Sequence, residues 1–235
     1  MNSLATKVLR QSNLRCVSIA LTLALTLLAI PSSHAQQLQR GISVEMPVTT
    51  SAPSVPEADN EDAWIVTVTG SNDLYFGVDP VTPQSLLDAM KTRPRNRAQE
   101  LYVKADGRAS FATVNRVLEV AHADGFEKAV LLTGQSAGAQ PGTIVPPKGL
   151  TLWLVSAAMS EAVVVQITPG QGSPMLKVDN QVVPLKALQH KLEQLLHQRG
   201  VVVLKAGQVP FADVVHVVDV CNMSGAKPVL GTPEL

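Results

Sequence analysis

Residues 63–133 can be laid over residues 162–232 at an offset of about one hundred residues, drifting by a single position. Val78-Asp79 recurs as Val178-Asp179, Lys104-Ala105 as Lys205-Ala206, and Phe111-Ala112-x-Val114 as Phe211-Ala212-x-Val214. Val117, Val120 and Gly125 then match Val217, Val220 and Gly225. Ordered matches whose gaps fall between apolar segments imply two copies of one supersecondary unit. Two copies are too few for a solenoid, so each copy is expected to bury its own core. A unit of about seventy residues is near the small end of what folds alone, which restricts the choice to compact two-layer arrangements.

Each copy reads in the same order. Residues 63–69 are rich in β-branched side chains and run into Gly70-Ser71-Asn72-Asp73, a strand followed by a turn, with a second strand over 74–78. Thr82 before Pro83 starts a helix with Leu86, Leu87 and Met90 on its apolar face. Residues 101–103 form a short strand. Ser110 can cap a helix whose Phe111, Val114, Val117, Leu118 and Ala121 keep the spacing of a buried stripe; Gly125 ends it, and residues 129–133 form the last strand. The second copy gives strands at 163–167, 175–178, 201–205 and 229–230, with helices over 184–198 and 210–223. The fold class is therefore α/β of the α+β kind, two tandem small two-layer sandwiches, each β-β-α-β-α-β.

The rest of the chain divides by composition. Lys7, Arg10 and Arg15 precede an uncharged apolar run over 17–30, and Ser33-His34-Ala35 offers small residues at a cleavage site. This reads as a signal peptide over 1–35, or as a membrane anchor if it stays uncleaved; either way the positive flank sends the remainder out of the cytoplasm. Leu14-Arg15 before Cys16 disfavours a lipid anchor. Residues 36–61, with prolines at 47, 53 and 56, read as an extended, mobile stem. The first domain follows over 62–134. Residues 135–160 form a glycine- and proline-rich linker with a further strand at 150–155, and the divergent second domain spans 161–235.

Composition excludes more than it selects. Charged residues are 16% and hydrophobic residues 46%, too apolar for a chain disordered throughout. Lysine plus arginine equals aspartate plus glutamate at 19 each, which removes the positive footprint of a nucleic-acid binder. The 2 cysteines cannot form a zinc cage, and Cys221 on an apolar helical position reads as a small core residue. Gly134-Gln135-Ser136-Ala137-Gly138 fits a nucleophile elbow by pattern, which makes an exported hydrolase using Ser136 the alternative from another class. The elbow needs a helix next, and Pro141, Gly142, Pro146 and Pro147 oppose one. His190 and His197 are spaced too widely for a metal pair on one helix, and His122 and His216 read as polar flanks of the closing helices. Asp79 and Asp179 read as turn residues with local hydrogen bonds. Arg93, Arg95 and Arg97 make the one local basic cluster, a candidate surface for an acidic partner or lipid headgroups. No catalytic constellation, cofactor or metal site emerges, so the chain is read as a non-enzymatic protein.

Gly41-Ile42-Ser43-Val44-Glu45-Met46-Pro47 after an apolar N-terminal segment resembles the Gly-Ile-x-Val-x-Leu-Pro stretch of the ExbD/TolR biopolymer-transport proteins. The resemblance runs on through Val66-Thr67-Val68-Thr69, Leu101-Tyr102-Val103-Lys104-Ala105-Asp106, the helix from Phe111, and Ala129-Val130-Leu131-Leu132-Thr133. It implies a single-span anchor beside a proton-driven motor, a periplasmic domain that dimerises, and contacts with TonB-like, ExbB/TolQ-like or peptidoglycan-associated envelope proteins. Asp106 matches a family position and is carried over as a partner-binding candidate. The family carries an aspartate in its membrane helix; residues 17–30 here have no ionisable side chain, so proton conduction is not expected of this chain. The doubled domain implies that the two copies can mimic the family's dimer within one chain, with a homodimer as the other arrangement.

Overall fold

A computed structural model describes residues 41–94, 99–134, 146–155, 162–196 and 200–231. Residues 1–40, and with them both readings of the N-terminal segment, lie outside the described residues, as do Arg95, Arg97, Ser136 and His197.

The first half runs β1 (Trp64–Val68), β2 (Leu74–Phe76), β3 (Asp79–Val81), α1 (Pro83–Thr92), β4 (Leu101–Ala105), α2 (Phe111–Ala123) and β5 (Lys128–Thr133). After β6 (Lys148–Val155) the same order returns as β7 (Val163–Thr168), β8 (Met175–Val178), β9 (Gln181–Val183), α3 (Leu185–Leu196), β10 (Val201–Ala206), α4 (Phe211–Met223) and β11 (Lys227–Gly231). The α+β class stands, with one strand more per half than the sequence suggests. Asp179 and Asn180 both have positive φ, 46° and 68°, and form a two-residue turn of the kind that joins hairpin strands, so β8 folds straight back into β9. Gly77, at φ 65°, lets β2 turn into β3 in the same space. β3 and β9 escape a pattern search because three residues cannot show alternation.

The register also corrects one repeat match. Val66 pairs with Phe76 while Val165 pairs with Val178, which makes Phe76, not Val78, the counterpart of Val178. Asp79 accordingly opens a strand, whereas Asp179 sits in the turn and accepts a hydrogen bond from Val164 N–H at 3.0 Å.

The two halves do not stand apart as separate sandwiches. All strands among the described residues join one mixed sheet in the order β3-β2-β1-β4-β5-β6-β11-β10-β7-β8-β9, which reads the same from either end about β6. β6 pairs antiparallel with β5 and parallel with β11, so the two halves run in opposite senses, as a two-fold pair would. Physically, β5 and β11 would otherwise be unpaired apolar edges. β6 satisfies both of them, and its Leu150, Leu152 and Leu154 are buried beneath α2 and α4. One hydrophobic core therefore runs under the four helices of the described residues, from Trp64 and Leu101 in the first half to Val165 and Leu204 in the second. Gly149 starts this junction, and a Cβ there would overlap the Val130 side chain.

Helix starts follow local chemistry in one case and the partner half in another. α1 has a full capping box: Ser85 N–H donates to Thr82 Oγ1 at 3.1 Å, and Thr82 N–H to Ser85 Oγ at 2.9 Å. Ser110 precedes α2 but its side chain makes no cap bond. Phe111 N–H instead donates to Val209 C=O at 2.8 Å, and Phe211 N–H returns the bond to Ala109 C=O at 2.8 Å. The two helix starts thus satisfy each other's orphan donors reciprocally across the junction.

The helices cover one face of the sheet. The other face of the first half is covered by the segment before β1, which is extended as its prolines dictate but is packed rather than loose. Ala58, in a short 3-10 turn (Pro56–Asp59), is buried against Tyr102, Val130 and Leu132, with Met46, Val55 and Ile65 around them. Isolated bridges join Val48 to Gly134 and Ser54 to Lys148.

Candidate functional site

Two buried carboxylates fasten the extended segment to the two halves. At the end of β4, Asp106 is 3% exposed and accepts Glu45 N–H at 3.2 Å, while Gly107 N–H donates to Glu45 C=O at 2.8 Å. Arg108 grips the same carboxylate through Nε at 2.9 Å and Nη2 at 3.0 Å, and its backbone N–H adds a third bond at 3.0 Å. The Arg108 side-chain bonds, then the backbone donors, hold the Asp106 carboxyl well below the usual carboxylate range, against burial, which alone would raise it. Asp106, carried over as a partner-binding candidate, is thus engaged inside its own fold.

The second carboxylate escapes sequence reasoning. Asp219, on α4 and 5% exposed, accepts Thr50 N–H at 2.8 Å, Ser51 N–H at 2.9 Å and the Ser51 hydroxyl. Its signal is visible in hindsight: an aspartate within Val214-Val215-His216-Val217-Val218-Asp219-Val220 stands in an apolar stripe, and a buried charge needs partners. The counterpart in α2 is the exposed Glu119. The extended segment therefore leaves the first half at Asp106, reaches α4 of the second half at Asp219, and returns over β6, where Gly149 N–H donates to Pro53 C=O at 3.1 Å.

Arg93, the described member of the arginine cluster, sits at the end of α1 over the rings of Trp64 and Phe76, 5.5 and 5.4 Å from their centroids, and donates to Asp62 C=O at 3.1 Å. Cys221 is fully buried, and burial pushes its thiol up to about 12, in keeping with a core residue. His190 and His216 are exposed, and among the described residues no group of acidic, histidine or cysteine side chains could hold a metal ion.

The sheet ends in two short edge strands. β3 carries Pro80, which has no N–H to offer. β9 has no proline, and its Val182 is 65% exposed. A cleft of about 390 Å³ opens between the extended segment and the helix-free face of the first half, with Ile65, Thr67, Lys104 and Leu132 among its lining residues and Asp59, Glu61, Val78, Asp79 and Arg93 around them. No helix among the described residues is long and apolar enough to cross a membrane.

A family model described as "Biopolymer transport protein ExbD/TolR" matches residues 17–136. The proteins named "Biopolymer transport protein ExbD" of Escherichia coli K12, Escherichia coli O157:H7 and Shigella flexneri are each 24% identical over 100 residues, covering 42% of this chain and 69% of theirs. No solved structure matches the chain.

Proposed function

From the chain's membership of the ExbD/TolR family of biopolymer transport proteins, we propose that it is an exported, non-enzymatic binding and scaffolding subunit of a TonB/Tol-type system in the cell envelope. The observation that carries this reading is the extent of the family match. It begins at Val17 and so takes in the apolar run 17–30 together with the whole first half, the layout of an anchored subunit. That favours retention in the inner membrane with the sheet in the periplasm over release of a cleaved chain. The run has no ionisable side chain, so proton conduction falls to other chains, and ExbB/TolQ-like motor components are the partners beside the anchor.

The second half is a diverged second copy that supplies in one chain what a dimer would supply in two. The palindromic strand order about β6 and the reciprocal bonds of Phe111 and Phe211 support this. Recognition of a TonB-like or peptidoglycan-associated partner proceeds by strand addition, and β9 is the better edge because Pro80 blunts β3. The test is purification of the tagged full chain from native membranes in mild detergent. A stoichiometric ExbB/TolQ-like protein, lost when residues 1–35 are replaced by a cleavable leader, is the expected result. Recovery of a soluble chain starting at Gln36 with no motor component contradicts the proposal.

A further inference from the structure

Strand register matches the two halves residue by residue on the sheet face away from the helices. Tyr102 lies between Ile65 and Val130 in the first half, and Val203 lies between Val164 and Val229 in the second. Two residues along the strands, Lys205 stands where Lys104 does and Gly231 where Leu132 does. The covering of the two faces differs. In the first half the turn Pro56–Asp59 sits on this row, Ala58 is buried against Tyr102, Val130 and Leu132, and the charge of Asp59 acts on Lys104. In the second half no segment among the described residues takes that place, and Val164 and Val203 stay half-buried with Lys205 exposed. Asp106, which holds Glu45 of the covering segment, has Gly207 at its position. A cavity of about 370 Å³ opens there, with Gln166, Lys205, Gly207 and Gly231 among its lining residues.

Charge and size select the occupant. Registered neighbours share a face, so Lys205, Gln166 and Lys177 stand in one row, the two lysines two strands or roughly 10 Å apart. Lys227 flanks the other end of the face, its ammonium 3.5 Å from the centre of the Trp153 ring. The strand residues of this face include no acid among the described residues. At its borders, Asp179 accepts from Val164 N–H and Glu100 is paired with Lys128. The first half is covered by Glu57-Ala58-Asp59, acids on either side of a small apolar residue, and the second half offers three lysines around an apolar strip to match such chemistry. Valine in place of Tyr102 and glycine in place of Leu132 leave room for a larger aliphatic group than that of Ala58.

We propose that the helix-free face of the second half docks a short, proline-containing segment of a partner protein in which an aliphatic side chain stands between two acidic ones, seated as Pro56–Asp59 is seated on the first half. This goes beyond the envelope-subunit reading and stands without it, since the face belongs to the sheet and not to the anchor.

The probe is a fluorescein-labelled, amidated peptide Ser-Val-Pro-Glu-Leu-Asp-Asn, titrated by anisotropy into the full chain in detergent micelles, with empty micelles as blank. Binding should weaken about tenfold when both acids become amides, about threefold in Lys205→Gln and further in Lys205→Glu, and it should fall with added salt. Lys205 is exposed, so folding is not at stake, and Lys186→Gln, at an exposed position on α3, should leave binding unchanged. The unlabelled peptide should shift the emission of the half-buried Trp153, an effect lost in Trp153→Phe, because the other tryptophan, Trp64, is fully buried. Absence of binding, equal binding by the amide peptide or by Lys205→Glu, or an equal loss in Lys186→Gln overturns the proposal. Binding that slows exchange of the β9 amides alone and leaves Trp153 unchanged overturns it and leaves strand addition standing. A Trp153 shift on adding phosphatidylglycerol to the micelles, with no response to the peptide, assigns the face to a lipid surface and overturns it as well.

Discussion

Replacing Asp219 by alanine should detach the extended segment from the second half. The carboxylate satisfies two backbone donors, Thr50 N–H and Ser51 N–H, and the Ser51 hydroxyl. The hydroxyl can rotate to another acceptor, but the two amides cannot. Thr50 is exposed and Ser51 half-buried, so water can meet their amides in part, and Asp219→Ala should destabilise the fold by about 1–3 kcal/mol. Asp219→Asn keeps one acceptor oxygen and turns an amino group toward the other donor, so its cost should be smaller, about 1 kcal/mol. Urea unfolding of the full chain in detergent gives the stabilities, and native-state hydrogen exchange gives the local effect. The amides of Thr50 and Ser51 should exchange about tenfold faster or more in Asp219→Ala, while those of β4 change only as far as global stability falls. A loss below about 1 kcal/mol with unchanged exchange at Thr50 and Ser51 would refute the reasoning.

Other consequences are equally concrete. Leu152→Ala, in the strand that both halves share, should cost about 2–5 kcal/mol and lower a single unfolding transition, whereas separate domains would give two transitions of which one moves. Asp106 has a folded value depressed below the ~3.9 of an unfolded aspartate, so its contribution is complete above that pH and is lost as pH falls toward the folded value. Asp106→Asn should therefore destabilise most near pH 7 and progressively less below about pH 4, read from urea midpoints across the range. Cys221 should resist thiol reagents in the native chain and react on unfolding, as a mass measurement after iodoacetamide treatment would show.

What the sequence made legible was the local and the periodic. Thr82-Pro83 announced a helix start and the structure supplies its capping box; the apolar stripe of Phe111, Val114, Val117 and Leu118 is buried as its spacing requires. Residues 150–155 could be read as a strand from their apolar run, but not that it would pair with β5 on one side and β11 on the other, because that pairing joins residues far apart in sequence. For the same reason the shared core was not foreseen, nor the fact that Ser110 leaves its helix start to Val209 of the other half. No local pattern in the segment before β1 reveals its attachment, which depends on Asp106 and Asp219 lying more than sixty residues away in sequence. Of the candidate site residues, Arg93 and Asp106 are engaged within the fold, and the cleft around Lys104 owes its existence to the packed segment that no local pattern reveals.

The central claim, that one chain holds both halves of a dimer-like sheet, is tested most directly by the mass of the purified full chain in detergent, measured by native mass spectrometry. A single chain of 24.9 kDa is the predicted species across micromolar concentrations. A stable homodimer at those concentrations would contradict it, because it would mean that the two copies do not complete each other and that the interface lies elsewhere.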